Sequence, residues 1–226
     1  MDGASNDGTR SYLETESRGQ IKWISEPDGG IYEAMNKGTG MASGDYCIFM
    51  NAGDCFVNSH VLSSILPYLD GSDLVTGNLV YVDERGRVNG YVPSKGCFTF
   101  ENLFQSAIPH QASFIRRDVL LAHPYDESLR LVSDWKFFLE LRLTPTVTFR
   151  DADIDICFFR AGGATARNRE LGARERQSVL SGYPEYKHIW DSPYKPSFLQ
   201  KAYRKLLYYR IKVFYSLSRD KDYENR

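Results

Sequence analysis

Long apolar runs are missing from this 226-residue chain. No stretch approaches the ~20 residues that a membrane-spanning helix requires, and no charged-then-apolar leader follows Met1. Cysteine is sparse as well. Cys47, Cys55, Cys97 and Cys157 are scattered without a CxxC pair, whereas zinc sites and disulfide scaffolds both cluster their ligands. The four read as free thiols of a reducing cytosol. Charge of one sign is lacking too. With 28 Lys/Arg against 29 Asp/Glu the net charge is −1, so no global field argues for nucleic acid as a partner. Internal repeats and low-complexity tracts are absent.

The 42% hydrophobic content is enough for the core of one sizeable α/β domain. Charge is distributed unevenly, however. Between Lys195 and Lys221 eight Lys/Arg face a single acid, Asp220, so the remainder is net acidic. An acidic body with a basic tail points to a surface contact at that end.

Along the chain, Ile21–Ser25 predicts a short strand and Pro27-Asp28-Gly29-Gly30 a turn. Ile31, Ala34, Met35 and Met41 fall at helical spacing. Tyr46–Met50 is apolar at every position, the pattern of a strand buried on both faces in a parallel sheet. Asn51-Ala52-Gly53-Asp54 follows, then a helix over 58–66. In open α/β sheets ligands bind beyond the carboxyl ends of the strands, and Asp54 stands at such a place. Asp73–Val80 predicts a strand, Tyr81–Val92 a hairpin about Glu84-Arg85-Gly86-Arg87, and Gln111–Ile115 another strand. Ser133 is the expected N-cap of a helix over Trp135–Leu143. Thr146–Arg150 and Asp153–Phe159 predict two antiparallel strands, ended by Gly162-Gly163. A long helix over Pro196–Leu217 places Leu199, Tyr203, Leu206, Leu207, Val213, Phe214 and Leu217 on one face. Lys201, Arg204, Lys205 and Lys212 share the opposite one, and Arg210 interrupts the apolar side.

Two acids have positions suited to chemistry. Breaking a bond to a diphosphate leaving group calls for a divalent cation on one or two carboxylates, and Asp54 has the ligand type; capping of the next helix is the competing reading. An attacking hydroxyl must lose a proton to a positioned base. Asp134 would serve, although acids at helix N-termini are also favoured by the dipole. The Gly-rich acidic turn Asp2–Thr9 is a third, weaker signal.

In combination these segments are specific. DGASNDGT (Asp2–Thr9), SEPDGGIYEAMNKG (Ser25–Gly38), SGDYCIFMNAGD (Ser43–Asp54), PHQASFIRRD (Pro109–Asp118) and YDESLRLVSDWKFF (Tyr125–Phe138) occur in one order. The run resembles bacterial family 2 inverting glycosyltransferases, above all those that build capsule, exopolysaccharide and colanic-acid-type repeat units. It covers residues 2 to 165. The resemblance implies a GT-A-like α/β fold, an open and mostly parallel sheet flanked by helices, with residues 166–226 as a helical extension. It implies a nucleotide-sugar donor, a saccharide or lipid-linked acceptor and Mg²⁺ or Mn²⁺. Asp2, Asp28, Asn36, Lys37 and Asn51 are then donor-binding residues and Asp54 the metal ligand. His110 and Gln111 face sugar and acceptor, and Asp134 is the general base. The implied location is the cytoplasm, with residues 196–218 lying on an anionic membrane surface or, alternatively, packing on the domain or a partner.

Departures accompany the resemblance. Asn51 replaces the first acid of the family's metal-binding triplet and Gly53 the middle one, leaving a single carboxylate; Ser133 replaces a glutamate. The family's opening strand, helix and second strand have no counterpart ahead of Asp2. The expectation is a truncated domain with exposed edges and poor folding. An inactive remnant that binds a nucleotide or a partner transferase is the alternative function. A nucleotidyltransferase would require a Gly-rich, Lys/Arg-bearing phosphate loop that the sequence does not contain.

Overall fold

The computed structural model describes residues 1–17, 19–105, 108–160, 167–191 and 198–222. Gly162-Gly163 and the expected boundary at 165/166 lie outside them.

Strand β3 (Leu74–Val82) is the spine of a six-stranded sheet. It pairs with β5 (Ser113–Arg116) antiparallel on one side and with β6 (Phe149–Arg160) parallel on the other. β4 (Val88–Val92) folds back on the second half of β3, the hairpin expected from the Glu84–Arg87 turn. At the two ends, β1 (Tyr46–Cys47) runs antiparallel to β5 and β2 (Cys55–Phe56) antiparallel to β6. The architecture is the α/β fold anticipated. Strand direction is corrected: the sheet is mixed, and β3–β6 is the one parallel pair among its named strands. A parallel pair needs a long crossover, and residues 83–148 provide it. The Tyr46–Met50 run is not a strand buried on both faces. Two of its residues pair, all five are half-buried, and the run borders a groove.

Alternation along the strands builds two core layers. Leu74 and Ile115 point to one side, where they meet Tyr32 and Met35 of α2 (Ile31–Met41) and Phe137, Phe138 and Leu141 of α6 (Ser133–Leu143). Val75, Leu79 and Phe114 point to the other, against Val61 and Ile65 of α3 (Val61–Ile65). The face that α2 buries is Tyr32, Met35 and Thr39, while Ile31 is 42% exposed. The apolar stripe read from spacing is therefore rotated by about one residue.

The two strands expected between Thr146 and Phe159 are one. Asp153 takes a left-handed conformation (φ 48°) and the register slips between Thr76 and Leu79, so β6 bulges past β3 instead of turning back. The buried amide of Asn78 fills the bulge, donating to Asp155 Oδ1 at 3.0 Å and to Asp153 Oδ1 at 3.3 Å. Beside it, a Cβ at Gly77 would overlap Ile156 and the Ile154 carbonyl, so only glycine permits this approach.

Ser133 is not the cap of α6. Val132 occupies that position, and the Ser133 hydroxyl is buried with no hydrogen-bond partner among the described residues. Trp135 locks the helix start: fully buried, it donates its indole N–H to the Leu103 carbonyl at 2.5 Å, under the Arg176 guanidinium. Arg176 belongs to α7 (Arg169–Ser181), whose Val179 and Leu180 share a cluster with Trp135 and Leu139.

The C-terminal helix α8 (Phe198–Asp222) lies against β4. Its inward residues are Tyr208, Ile211 and Tyr215, packed on Val80, Val82 and Val88, and the Tyr215 hydroxyl donates to Asp155 Oδ2 at 3.2 Å. The expected apolar face is turned outward. Tyr203, Leu206 and Phe214 are 45%, 67% and 61% exposed. The helix carries apolar side chains on two sides, and the sheet takes the side centred on Ile211. Leu199 and Leu217 of the expected face have side chains outside the described residues.

Candidate active site

The Asn51–Asp54 segment is a tight turn. The Asp54 N–H donates to the Asn51 carbonyl at 3.0 Å, and Gly53 at the third position has φ 95°, which only glycine adopts without strain. The turn feeds β2 rather than a helix, as α3 begins at Val61. β2 pairs with the end of β6, and there the Arg160 N–H donates to Asp54 Oδ1 at 3.3 Å. Asp54 Oδ2 is buried with no hydrogen-bond partner among the described residues. Burial pushes the Asp54 carboxyl up, offset only in part by the Arg160 N–H, the His110 charge and the Gln111 side chain.

Across the rim stands Asp134, at the first turn of α6 with its side chain 13% exposed. Its Oδ1 accepts from the Tyr32 hydroxyl at 2.9 Å and from the Trp135 N–H at 2.8 Å. Its Oδ2 meets His110 Nδ1 at 2.9 Å. Burial alone would raise this carboxyl, but His110, Tyr32 and the Trp135 N–H hold it below its ordinary value. Those contacts act on Tyr32 in reverse: desolvation first, then the Asp134 charge, raise its hydroxyl well above the usual range.

His110 joins the two acids. It sits in a single 3-10 turn, His110–Ala112, entering β5, with its ring wedged between α6 and the Asn51 turn. Its Nδ1 faces Asp134 and its Nε2 lies 3.1 Å from the Asn51 amide nitrogen. The adjacent Gln111 is buried beside it and is the weakest of the influences that lower the Asp54 carboxyl. One short turn thus connects Asp134, His110, Asn51, Gln111 and Asp54. Sequence reading had all five on its roster and missed Tyr32, Trp135 and Arg160, which complete their bonds. Tyr32 adjoins the apolar stripe of α2, and nothing in its spacing marks the hydroxyl.

The remaining candidates are spread along the opposite side. A groove of ≈ 710 Å³ runs between α2 and the Tyr46–Ala52 edge, lined by Met1, Asp28, Asn51 and Ala52 among others. Asp28 lies over Gly3, close enough that a Cβ at position 3 would press on its carboxylate. Asp2 is turned into its own loop. It accepts from the Ser25 hydroxyl at 2.6 Å and from Ser5, and Ser25 then Ser5 hold its carboxyl low. The strand expected over Ile21–Ser25 reduces to a single parallel bridge, Asp2 with Ser25. Asn36 is committed elsewhere: its amide donates to the Tyr125 carbonyl at 2.9 Å and to Glu127 at 2.8 Å, and its carbonyl accepts from the Tyr125 N–H. Lys37 pairs with Glu26 at 2.8 Å and Glu33 at 2.7 Å. Neither residue lines the groove, and their contacts tie α2 to the segments around it.

Comparison with known proteins decides the family. Residues 1–120 match the model of Glycosyl transferase family 2. The chain belongs to glycosyl transferase family 2. Asp54 and His110 fall inside the matched segment and Asp134 beyond it. A glycosyltransferase of Mycobacterium tuberculosis, uncharacterized by its name, is 33% identical over 153 residues, 63% of this chain and 56% of the relative. A PGL/p-HBAD biosynthesis glycosyltransferase of Mycobacterium bovis is 27% identical over 143 residues, 61% and 54% respectively. The chain spans about half the length of these relatives. Among solved structures, S. aureus TarS in complex with UDP superposes with TM-score 0.55 at 16% identity, over 82% of this chain and 60% of that one. TarS in complex with UDP-GlcNAc gives TM-score 0.55 at 15% identity, over 84% and 68%. These similarities establish a shared fold.

Enzymes of the GT-A fold in family 2 commonly use a divalent metal, and the residues present fit one in a restricted way. Among the described residues no three His, Cys, Asp or Glu side chains are grouped to hold a metal ion. What the rim does offer is the buried, unpartnered Oδ2 of Asp54. One carboxylate oxygen with no internal bond to give up suits a hard cation whose other ligands are phosphate oxygens and water.

Proposed function

We propose that this family 2 chain transfers a glycosyl group from a nucleoside-diphosphate sugar to a hydroxyl of a saccharide or lipid-linked acceptor. The transfer inverts the anomeric carbon and serves cell-surface polysaccharide synthesis. The observation that carries the reading is the single turn through which a proton-accepting pair, Asp134 with His110, and a free carboxylate oxygen, Asp54 Oδ2, meet at one rim. The TarS complexes with UDP and UDP-GlcNAc support a nucleotide-sugar donor.

The roles follow from the contacts. Asp28 and Asn51 bound the groove in which the nucleotide lies. Asp54 would hold the Mg²⁺ or Mn²⁺ ion, which when bound neutralises charge on the departing diphosphate. His110 and Gln111 face the sugar and acceptor, and Asp134, paired with His110, takes up the proton of the attacking hydroxyl. Asp2 shapes the turn beside the nucleoside rather than offering free oxygens. Release of UDP from UDP-GlcNAc, and of the matching nucleotide from GDP- and dTDP-sugars, tests the reading with Mn²⁺ present. Turnover of at least one donor is expected. Binding of nucleotides without turnover of any of them would leave only a nucleotide-binding module.

A second surface fits a membrane-linked acceptor. No helix among the described residues is long and apolar enough to cross a bilayer. On α8, however, Tyr203, Leu206, Tyr209 and Phe214 are exposed together, with Lys201, Lys205 and Lys212 along the flank. An apolar stripe edged by lysines suits an anionic bilayer surface. The full chain should sediment with phosphatidylglycerol vesicles and not with phosphatidylcholine alone. The double variant Leu206→Glu/Phe214→Glu should remain in solution, and its continued sedimentation would contradict this docking.

A further inference from the structure

A half-buried cation near the rim has been given no acceptor. Arg176 projects from α7 over the ring of Trp135, its guanidinium carbon 5.0 Å from the ring centre. The indole beneath is fully buried and tied through its N–H to the Leu103 carbonyl, so the platform is fixed. The helix is fixed as well: Glu175, the preceding residue, accepts from the Arg130 and Leu131 N–H groups at 2.8 and 3.0 Å. Contact with the ring face engages the charge and leaves the five N–H donors of a guanidinium unspent. Among the described residues no hydrogen bond or ion pair takes them up. Burial pulls the Arg176 guanidinium below its usual value, and the charge that counters this is Asp134. Asp54 answers instead to the Arg160 N–H and to His110. Arg176 thus stands on the Asp134 side of the rim. One turn farther along α7, Leu180 shares the Trp135 cluster and lines a cavity of ≈ 310 Å³ with Gln177, Tyr183, Tyr186 and Lys187. Aromatic walls with polar edges suit a sugar ring.

We propose that Arg176 binds an oxyanion carried by the acceptor, a carboxylate or phosphate near the hydroxyl to be glycosylated; this rests on the transferase reading above. A guanidinium held on a rigid platform with its edge unused is preorganised for paired N–H···O bonds to such a group. Its place also answers an electrostatic problem. An anionic acceptor is repelled by the Asp134 carboxylate that it must approach, and a cation beside that carboxylate offsets the repulsion. Anchoring the anion holds the neighbouring hydroxyl where Asp134 can take its proton. The donor's diphosphate is assigned to Asp54, so the anion at Arg176 belongs to the other substrate.

The test follows the arginine side-chain N–H signals of the full chain by nitrogen-15 NMR. Arg176 is identified by the signal lost in Arg176→Gln or, should that variant not fold, in Arg176→Lys. Methyl glucuronide and glucose 1-phosphate are the anionic probes, and methyl glucoside is the neutral control. At least one anionic sugar should shift the Arg176 signal with half-saturation at about 1–10 mM, the affinity of a few charge-assisted hydrogen bonds. Methyl glucoside should leave it in place. Which probe acts tells carboxylate from phosphate. No shift with either anion, or an equal shift with the glucoside, overturns the proposal. So does displacement of the bound probe by UDP with Mn²⁺, which would put Arg176 on the donor's diphosphate. Absence of donor turnover beside an intact shift sinks the transferase reading and keeps the oxyanion site, so the two fail separately.

Discussion

Two aspartates stand at one rim and are treated in opposite ways. Asp134 is well supplied, with donors from a helix, a turn and its own backbone neighbour, and its carboxyl is held low. Asp54 is left short: one oxygen accepts a long 3.3 Å bond from Arg160, the other has no hydrogen bond, and its carboxyl is pushed up. A fold that spends three donors on one acid and leaves the other undersupplied a turn away is not merely stabilising charges. The chain itself supplies the setting of Asp134, whereas on the proposed reading Asp54 is completed by a cation from outside the chain. On that reading the difference separates a proton-accepting carboxylate from a cation-binding one.

Substitution should divide them most sharply in catalysis. Asp134→Asn is expected to lower the rate of UDP release by about 100- to 10,000-fold, the range of general-base contributions, with UDP binding retained. A variant within a few-fold of the unchanged rate would break the pairing with His110. Stability should then split by sign. Without ligand, Asp134→Asn should destabilise by about 1–3 kcal/mol, since it strands buried donors. Asp54→Asn should leave stability unchanged or raise it, because the cost of a buried charge goes with it. The second variant should also lose the Mn²⁺-dependent protection that UDP gives against thermal unfolding. Melting curves of both variants, with and without UDP and Mn²⁺, check these signs; a destabilised Asp54→Asn would erase the contrast.

Acid sharpens the comparison further. The folded carboxyl of Asp134 is depressed, so its contribution is present above the ordinary carboxylate value of about 4 and is lost as pH falls through the lower folded value. Asp54 is raised, so its penalty exists above the folded value and is relieved as pH drops toward about 4. The melting difference between the unchanged chain and Asp54→Asn should therefore shrink on moving from neutral pH toward 4. The difference from Asp134→Asn should persist there and shrink only below it. The smallest effect belongs to Tyr32→Phe, which removes one of three donors to Asp134 and should cost about 1 kcal/mol in chemical denaturation. No change in stability would mean that the Tyr32 bond is not made in solution.

Much of this was legible before any coordinates. The hairpin about Glu84–Arg87, strand β3 and helix α6 follow from local pattern, because turn chemistry and periodicity act over a few residues. Asp54, Asp134, His110 and Gln111 were marked by position and by family resemblance. Long-range contacts were not legible. Twenty-four residues separate His110 from Asp134 and 102 separate Tyr32 from it, and no spacing rule spans such loops. The bulge at Asp153 hid a single strand behind the pattern of two, since a left-handed aspartate resembles a turn residue. Helix α8 misled for another reason. With apolar side chains on two faces, its period does not say which one the sheet will take.

The proposed reading makes Asp54 Oδ2 the oxygen that takes a cation beside the groove under α2. Crystals soaked with UDP and Mn²⁺ and measured at the manganese edge address it directly. An anomalous peak in contact with Asp54 and the diphosphate, and none at Asp134, is the predicted result. Manganese or UDP bound away from Asp54 would contradict the account.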